Sequence, residues 1–170
     1  MNVDLHPIAV EARLLQNTYA HAIDTRDWDL FETVFAPEVV ADYPGRRYAG
    51  MAEWLDAFVP FHDTCTWTFH VMTNHLVGRD SGGVWASCYG DVRWQLDASV
   101  DRYSHALGMY QDRLVAVDGG WIVAHRKFRM VMYRPDIPLP DGMAFPISVH
   151  ALTNEVTNGE PSHDRRHDDV

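Results

Sequence analysis

Four long segments fill the second half of this chain: 64–78, 84–97, 104–117 and 121–134. Each is rich in β-branched and aromatic residues, and each is bounded by a short break. The breaks are Asp80-Ser-Gly-Gly83, the region from Ser99 to Arg102, and Asp118-Gly119-Gly120. The last is a strong hairpin signal. Strands joined by connections this short pair antiparallel. The first half reads differently. Ile8, Ala12, Leu15, Tyr19 and Ile23 recur at helical spacing and predict an amphipathic helix over 7–24. Thr25-Arg-Asp27 breaks it, and Asp27 can cap a second short helix carrying Trp28, Leu30, Phe31, Val34 and Phe35. Pro37 is expected to end that helix. Val39–Tyr43 reads as a short strand, Pro44-Gly45 as a turn and Arg47-Tyr48 as the start of a return strand. Residues 51–61 predict a third helix with Met51, Trp54, Leu55, Phe58 and Val59 on one side.

Helices first and antiparallel strands afterwards give an α+β fold, with the helices on one face of a sheet. Strands this long curve strongly, and a curved sheet closed by helices makes a cone with a pocket inside. The strand pattern is expected to stop after Tyr133-Arg-Pro135. Residues 136–150 read as a segment draped over the pocket mouth or a neighbouring subunit. The expected organisation is one domain over 1–150, with 151–170 a solvated, disordered tail.

The net charge of -10 argues against a nucleic-acid-binding surface, which needs a basic stripe. Apolar runs fall short of the roughly 20 residues a membrane helix requires. Met1-Asn-Val-Asp-Leu-His6 lacks the features of a signal peptide, so a cytoplasmic location is the expectation. Cys65 and Cys88 lack metal-like spacing and read as reduced core residues. No glycine-rich phosphate loop and no GxSxG is present. His75, His105 and His125 fit no familiar metal motif with His70, and residues 70 and 75 face opposite sides of a regular strand.

Asp24 is the residue that invites chemistry. A carboxylate in the last turn of a helix meets the negative end of the macrodipole and needs a partner. A histidine on a facing strand would serve, and His70 lies in Thr68-Phe-His-Val-Met-Thr-Asn-His75. An Asp–His pair in an apolar pocket can move a proton. The alternative is a hydrogen-bonded core histidine with Asp24 capping the next helix. Tyr19 lies five residues earlier, about 140° around the axis at 3.6 residues per turn. It can donate a proton or hold an enolate oxygen, or simply pack by its ring. Arg126 and Arg129 face opposite sides of a strand, so at most one enters a pocket. Trp54, Phe58 and Met109 belong to a Met and aromatic set that is mostly core; where some of it lines the cone, the pocket suits a flat, apolar molecule.

Several segments in order resemble the SnoaL-like branch of the nuclear-transport-factor-2-like superfamily, over roughly residues 7–134. They are Tyr19-x4-Asp24 with Arg26-Asp-Trp-Asp-Leu30, Phe35-Ala-Pro-Glu-Val-Val40, the His70 segment, Gly108-Met-Tyr-Gln-Asp112, and Asp118-Gly-Gly-Trp121-Ile-Val-Ala-His-Arg126. Within that branch the chain is similar to the group of scytalone dehydratase, bile-acid 7α-dehydratase and hexachlorocyclohexane dehydrochlorinase. The resemblance implies an α+β cone and a lyase without cofactor. It implies that His70 and Asp24 form the catalytic dyad, with Tyr19 a catalytic tyrosine. It makes Tyr43 a second pocket tyrosine, and Arg129 or Arg126 the partner of developing negative charge. It also implies a homo-oligomer, trimer or dimer. The expected activity is β-elimination of water or halide from a hydrophobic oxygenated ring compound. Isomerisation or cyclisation by the same dyad, a non-catalytic binding module, and a structural subunit are the alternatives.

Overall fold

The architecture is seen in a computed structural model that describes residues 5–96 and 101–139. Helix α1 spans His6–Thr25, with Pro7 in its first turn. It stops at Arg26, which adopts the left-handed conformation at φ 61°. The Asp27 side chain then accepts a hydrogen bond from the Leu30 amide at 2.9 Å and starts α2, Trp28–Glu32. Strands β1 (Phe35–Tyr43) and β2 (Arg46–Ala49) form a hairpin, and α3 follows over Met51–Thr64. The four long strands are β3 (Trp67–Asp80), β4 (Gly83–Gln95), β5 (Arg102–Val117) and β6 (Gly120–Pro138).

Three boundaries differ from expectation. Pro37 does not end a helix; it lies inside β1, which is already extended at Phe35. Helix α3 runs through Pro60 to Thr64, because the last turn adds His62 to its buried stripe. Strand β6 continues past Pro135 to Pro138 and pairs with the start of β5. The drape expected over 136–150 begins instead as part of β6 up to Pro138; its remainder from 140, the domain end at 150 and the tail from 151 lie outside the described residues.

The six strands form one curved sheet in the order β2-β1-β6-β5-β4-β3. All neighbours are antiparallel except β1 and β6, which run parallel. The sheet does not close into a barrel; β2 and β3 are its edges. The helices cover the concave face, and the core fills the space between. Phe31, Trp54, Ile23, Val39 and Val123 are fully shielded there. No helix among the described residues is long and apolar enough to cross a membrane.

One irregularity matters for function. Asn74 takes a left-handed φ of 54°, and the β3–β4 register shifts between Thr73 and Leu76. This is a β-bulge, which adds a residue and reverses the inside–outside alternation. Before it, Thr68, His70 and Met72 turn inward; after it, His75 and Val77 do. His75 therefore faces the same side as His70, contrary to the regular-strand expectation.

Candidate active site

Asp24 emerges from the last turn of α1 against the start of β3. Its Oδ1 receives a hydrogen bond from Thr68 Oγ1 at 2.9 Å and contacts His70 Nδ1 at 2.7 Å. Its Oδ2 accepts from the His70 backbone amide at 2.8 Å. The unfavourable helix dipole is worth about 0.3–1 kcal/mol. Each hydrogen bond to a charged group contributes about 1.5–3 kcal/mol. Three such bonds outweigh the dipole and hold the carboxylate at this helix end. Arg26 folds back on the Ile23 carbonyl and donates to Thr68 Oγ1 at 2.9 Å. The threonine hydroxyl thus accepts from Arg26 and donates to Asp24, which fixes its orientation.

The dyad side chains are only 5% and 8% exposed for His70 and Asp24. A carboxylate can only accept, so His70 Nδ1 carries the proton in that contact. Its Nε2 is left with a lone pair that can take a proton.

His70 borders a largely apolar pocket of about 210 Å³. Phe58 and Phe61 of α3, Trp94 of β4, Phe128 and Met130 of β6, and the rings of Tyr19 and Tyr43 form most of its wall. Two glycines shape the wall opposite α3. A Cβ on Gly90 would collide with the Tyr110 ring, and one on Gly108 with the Phe128 ring. Their absent side chains let both rings lie across the neighbouring strand.

Tyr19 and Tyr43 hydroxyls meet at 3.0 Å, and Tyr110 interacts with Tyr19 as well. Burial pushes the Tyr19 pKa up, opposed by the nearby Arg126 charge. Burial raises Tyr43 and Tyr110 well above the ordinary phenol value. Phenols that resist ionisation remain hydrogen-bond donors, which suits an oxygen gaining negative charge. The Tyr19 ring also packs edge-on to the His70 ring, centroids 6.1 Å apart.

Arg126 is fully buried but does not line the pocket. It lies beneath it. Nε and Nη2 bond the two oxygens of Asp112 at 2.8 Å each. The guanidinium carbon sits 4.1 Å from the Tyr19 ring centroid, a cation–π contact. Burial works against its charge, but Asp112 more than offsets that and raises the arginine pKa. Gln16 donates to Asp112 at 3.1 Å and faces His75 Nδ1 at 2.7 Å, a contact that the bulge makes possible.

Four expected binding residues therefore need correction. Arg126 acts under the pocket wall, not in contact with the cavity. Arg129 is exposed on the opposite sheet face, beside Lys127 and His125. Met109 pairs with Arg129 in register and alternates away from Tyr110, so it too faces outward. Trp54 is wholly buried behind Phe58 and Tyr43, contacting Phe31 and Phe35.

The pocket also holds residues outside the expected set, His62 and Tyr110 among them. His62 donates from Nδ1 to the Phe58 carbonyl at 2.7 Å and borders the pocket. Burial lowers its pKa to about 3, so it is neutral. Its signal was the stripe Trp54, Phe58, His62 continuing at i+4. Tyr110, next to Met109, faces inward with the same parity as buried Asp112 two residues on. Burial raises the Cys65 thiol to about 11 and Cys88 to about 12, so neither is a thiolate nucleophile. Among the described residues no group of three or more His, Cys, Asp or Glu is arranged to hold a metal.

Comparison with known proteins adds the family. The SnoaL-like domain model matches residues 9–127. A Kribbella flavida protein of known structure is 19% identical, with a TM-score of 0.70, covering 77% of this chain and 95% of its own. A Novosphingobium aromaticivorans protein provisionally assigned as a scytalone dehydratase is 18% identical, with a TM-score of 0.66, covering 82% and 95%. Hexachlorocyclohexane dehydrochlorinase LinA type 2 is 19% identical, with a TM-score of 0.65, covering 83% and 100%. At these identities the likeness is one of fold. A comparison with curated proteins returns no match by sequence.

Proposed function

The chain belongs to the SnoaL-like domain family, and on that premise we propose that it is a cofactor-independent lyase. It removes a proton and a leaving group from neighbouring carbons of a small, hydrophobic, oxygenated ring compound. His70 Nε2 takes the proton from carbon next to a carbonyl. Asp24 keeps Nδ1 protonated and stabilises the imidazolium that forms. The hydroxyls of Tyr19 and Tyr43 donate to the developing enolate oxygen, and collapse of the enolate expels halide, or a hydroxyl that takes the proton held on His70 and leaves as water. The observation that carries this reading is the 2.7 Å contact between His70 Nδ1 and Asp24 Oδ1, with the same ring bordering an apolar hollow.

The pocket, at about 210 Å³, is smaller than the roughly 300–1,000 Å³ of drug-sized ligand sites. One or two fused rings suit it better than a steroid. Dehydratase and dehydrochlorinase names among the structural neighbours agree with the reaction class. The same reading carries a homo-oligomer, supported by exposed Phe69, Val71 and Tyr89 on the outer sheet face.

The test is a panel of cyclic β-hydroxy and β-chloro ketones, followed by enone absorbance. The expected result is turnover that falls about 100- to 10,000-fold in His70→Ala with the fold intact by circular dichroism. Near-normal turnover in a well-folded variant refutes the mechanism. Tight binding across the panel without any turnover replaces it with a binding module.

A further inference from the structure

Two histidines border the apolar pocket, and they lean on different partners. His70 leans on the Asp24 carboxylate; His62, on α3, leans on the backbone carbonyl of Phe58. A carbonyl can only accept, so His62 Nδ1 carries the proton of the neutral ring and Nε2 keeps a lone pair. His62 is only 5% exposed. The rings of Trp28, Phe58 and Phe61 pack against it, with centroids 5.9, 4.9 and 5.1 Å away. Among the described residues nothing hydrogen-bonds its Nε2. Nor is that nitrogen sealed in the core; among the described residues the shielded side-chain atoms without a partner are Trp54 Nε1 and Arg126 Nη1. His62 lines the pocket, so the pocket is where Nε2 can meet a donor.

Other polar groups on that wall are already engaged. Thr68 is held between Arg26 and Asp24, and the Tyr19 and Tyr43 hydroxyls bond each other. A ligand that covers a buried acceptor without donating to it leaves that acceptor unpaired, so such a site favours ligands that donate. We propose that His62 is a specificity-determining residue, whose Nε2 accepts a hydrogen bond from a ring hydroxyl of the substrate that is not the leaving group. The inference rests on the lyase reading and deepens it: the substrate is a hydroxylated cyclic ketone. The two histidines divide the work by their partners. A carboxylate stabilises an imidazolium, so His70 can take a proton outright. A backbone carbonyl in an apolar wall offers no such charge, and burial holds the His62 pKa near 3. His62 therefore stays neutral at neutral pH and accepts a hydrogen bond without taking the proton. It follows Phe58 by one turn of α3, and the Phe58 ring meets Tyr43. The hydroxyl thus lies against α3 while the carbonyl lies at the tyrosines.

The probes are indanone, its ring-hydroxylated isomers and their methyl ethers, which carry a carbonyl but no leaving group. Binding is followed by tryptophan fluorescence, since Trp94 lines the pocket. At least one hydroxyindanone is expected to bind about tenfold tighter than both indanone and its own methyl ether. In His62→Phe that ratio should fall to within about twofold, because the ring that replaces imidazole has no lone pair to offer. In protein labelled with nitrogen-15 at histidine, the preferred compound should move the His62 Nε2 resonance upfield, and its ether should not. A preference that survives in His62→Phe overturns the proposal, as does wild-type protein that binds no hydroxyindanone more tightly than its ether. Should the variant misfold, the nitrogen-15 signal of the wild-type protein decides, and an unmoved resonance overturns the proposal. The two readings fail separately. A protein without turnover that keeps the His62-dependent preference loses only the lyase assignment. An active enzyme indifferent to the hydroxyl loses only the role of His62.

Discussion

Asp24 and Asp112 are both buried carboxylates that hold a basic residue on a neighbouring strand with two short hydrogen bonds, Asp24 through the ring and backbone amide of His70 and Asp112 through the guanidinium of Arg126. Asp24 holds His70 at 2.7 Å; Asp112 holds Arg126 at 2.8 Å. They sit on either side of Tyr19, which meets His70 edge-on and lies over the Arg126 guanidinium. The difference is the partner. An imidazole can exist neutral or protonated, so its carboxylate can support a proton that is gained and given up. A guanidinium keeps its charge, so its carboxylate neutralises a permanent cation and turns it into a fixed field under the tyrosines. One pair can exchange a proton and the other is a fixed charge.

The sharpest way to break this contrast is to remove each carboxylate. Asp112→Ala leaves a bare cation in the core and is expected to cost about 3–5 kcal/mol in urea unfolding. The double change Asp112→Leu with Arg126→Met should restore most of that, because a well-packed apolar pair replaces a buried ion pair at little net loss. Asp24→Asn should do the reverse. Its amide can donate to Nδ1 and reverse the His70 tautomer, so turnover falls roughly 100-fold or more while stability drops by only about 1–2 kcal/mol. Equal stability losses at the two sites would erase the distinction.

His62 sharpens the contrast through pH. It is neutral in the folded state, with a pKa near 3, against about 6.5 unfolded. The unfolded chain therefore binds the extra proton between these values, so stability is full above about 6.5 and falls as pH drops towards 3, by up to about 1.4 kcal/mol per unit. His62→Phe should flatten that part of the curve in denaturant titrations run from pH 7 to 4. The smallest effect belongs to Tyr19→Phe, which removes one hydroxyl from the Tyr43 contact. It should lower stability by about 1 kcal/mol and turnover by more than that loss explains. A rate equal to wild type would reduce Tyr19 to a packing ring.

Much of this was legible in the chain. Hydrophobic spacing set the helices and strands, and the poor electrostatics of Asp24 at a helix end pointed to a partner across the fold. What escaped was local phase. Parity alone made residues 70 and 75 face apart, and only the left-handed turn at Asn74 brings His75 to Gln16. The third helix is expected to end at residue 61 and the last strand at Pro135, yet packing of His62 and pairing of β6 with β5 carry both elements onward. The arginines were ambiguous for a related reason. A long cationic side chain reads as surface until its acid is identified, and Asp112 lay fourteen residues away on another strand.

The kink at Asn74 also separates two mechanical duties within one strand. Residues before it aim the His70 imidazole at Asp24; residues after it anchor the support of the buried cation. Deleting Asn74 would remove the extra residue and leave both halves facing as they do, whereas straightening the bulge with no deletion would turn His75 outward and strip Gln16 of its contact while leaving His70 aimed as before. The distal half of the strand and its turn can therefore be remodelled without disturbing the His70–Asp24 contact upstream.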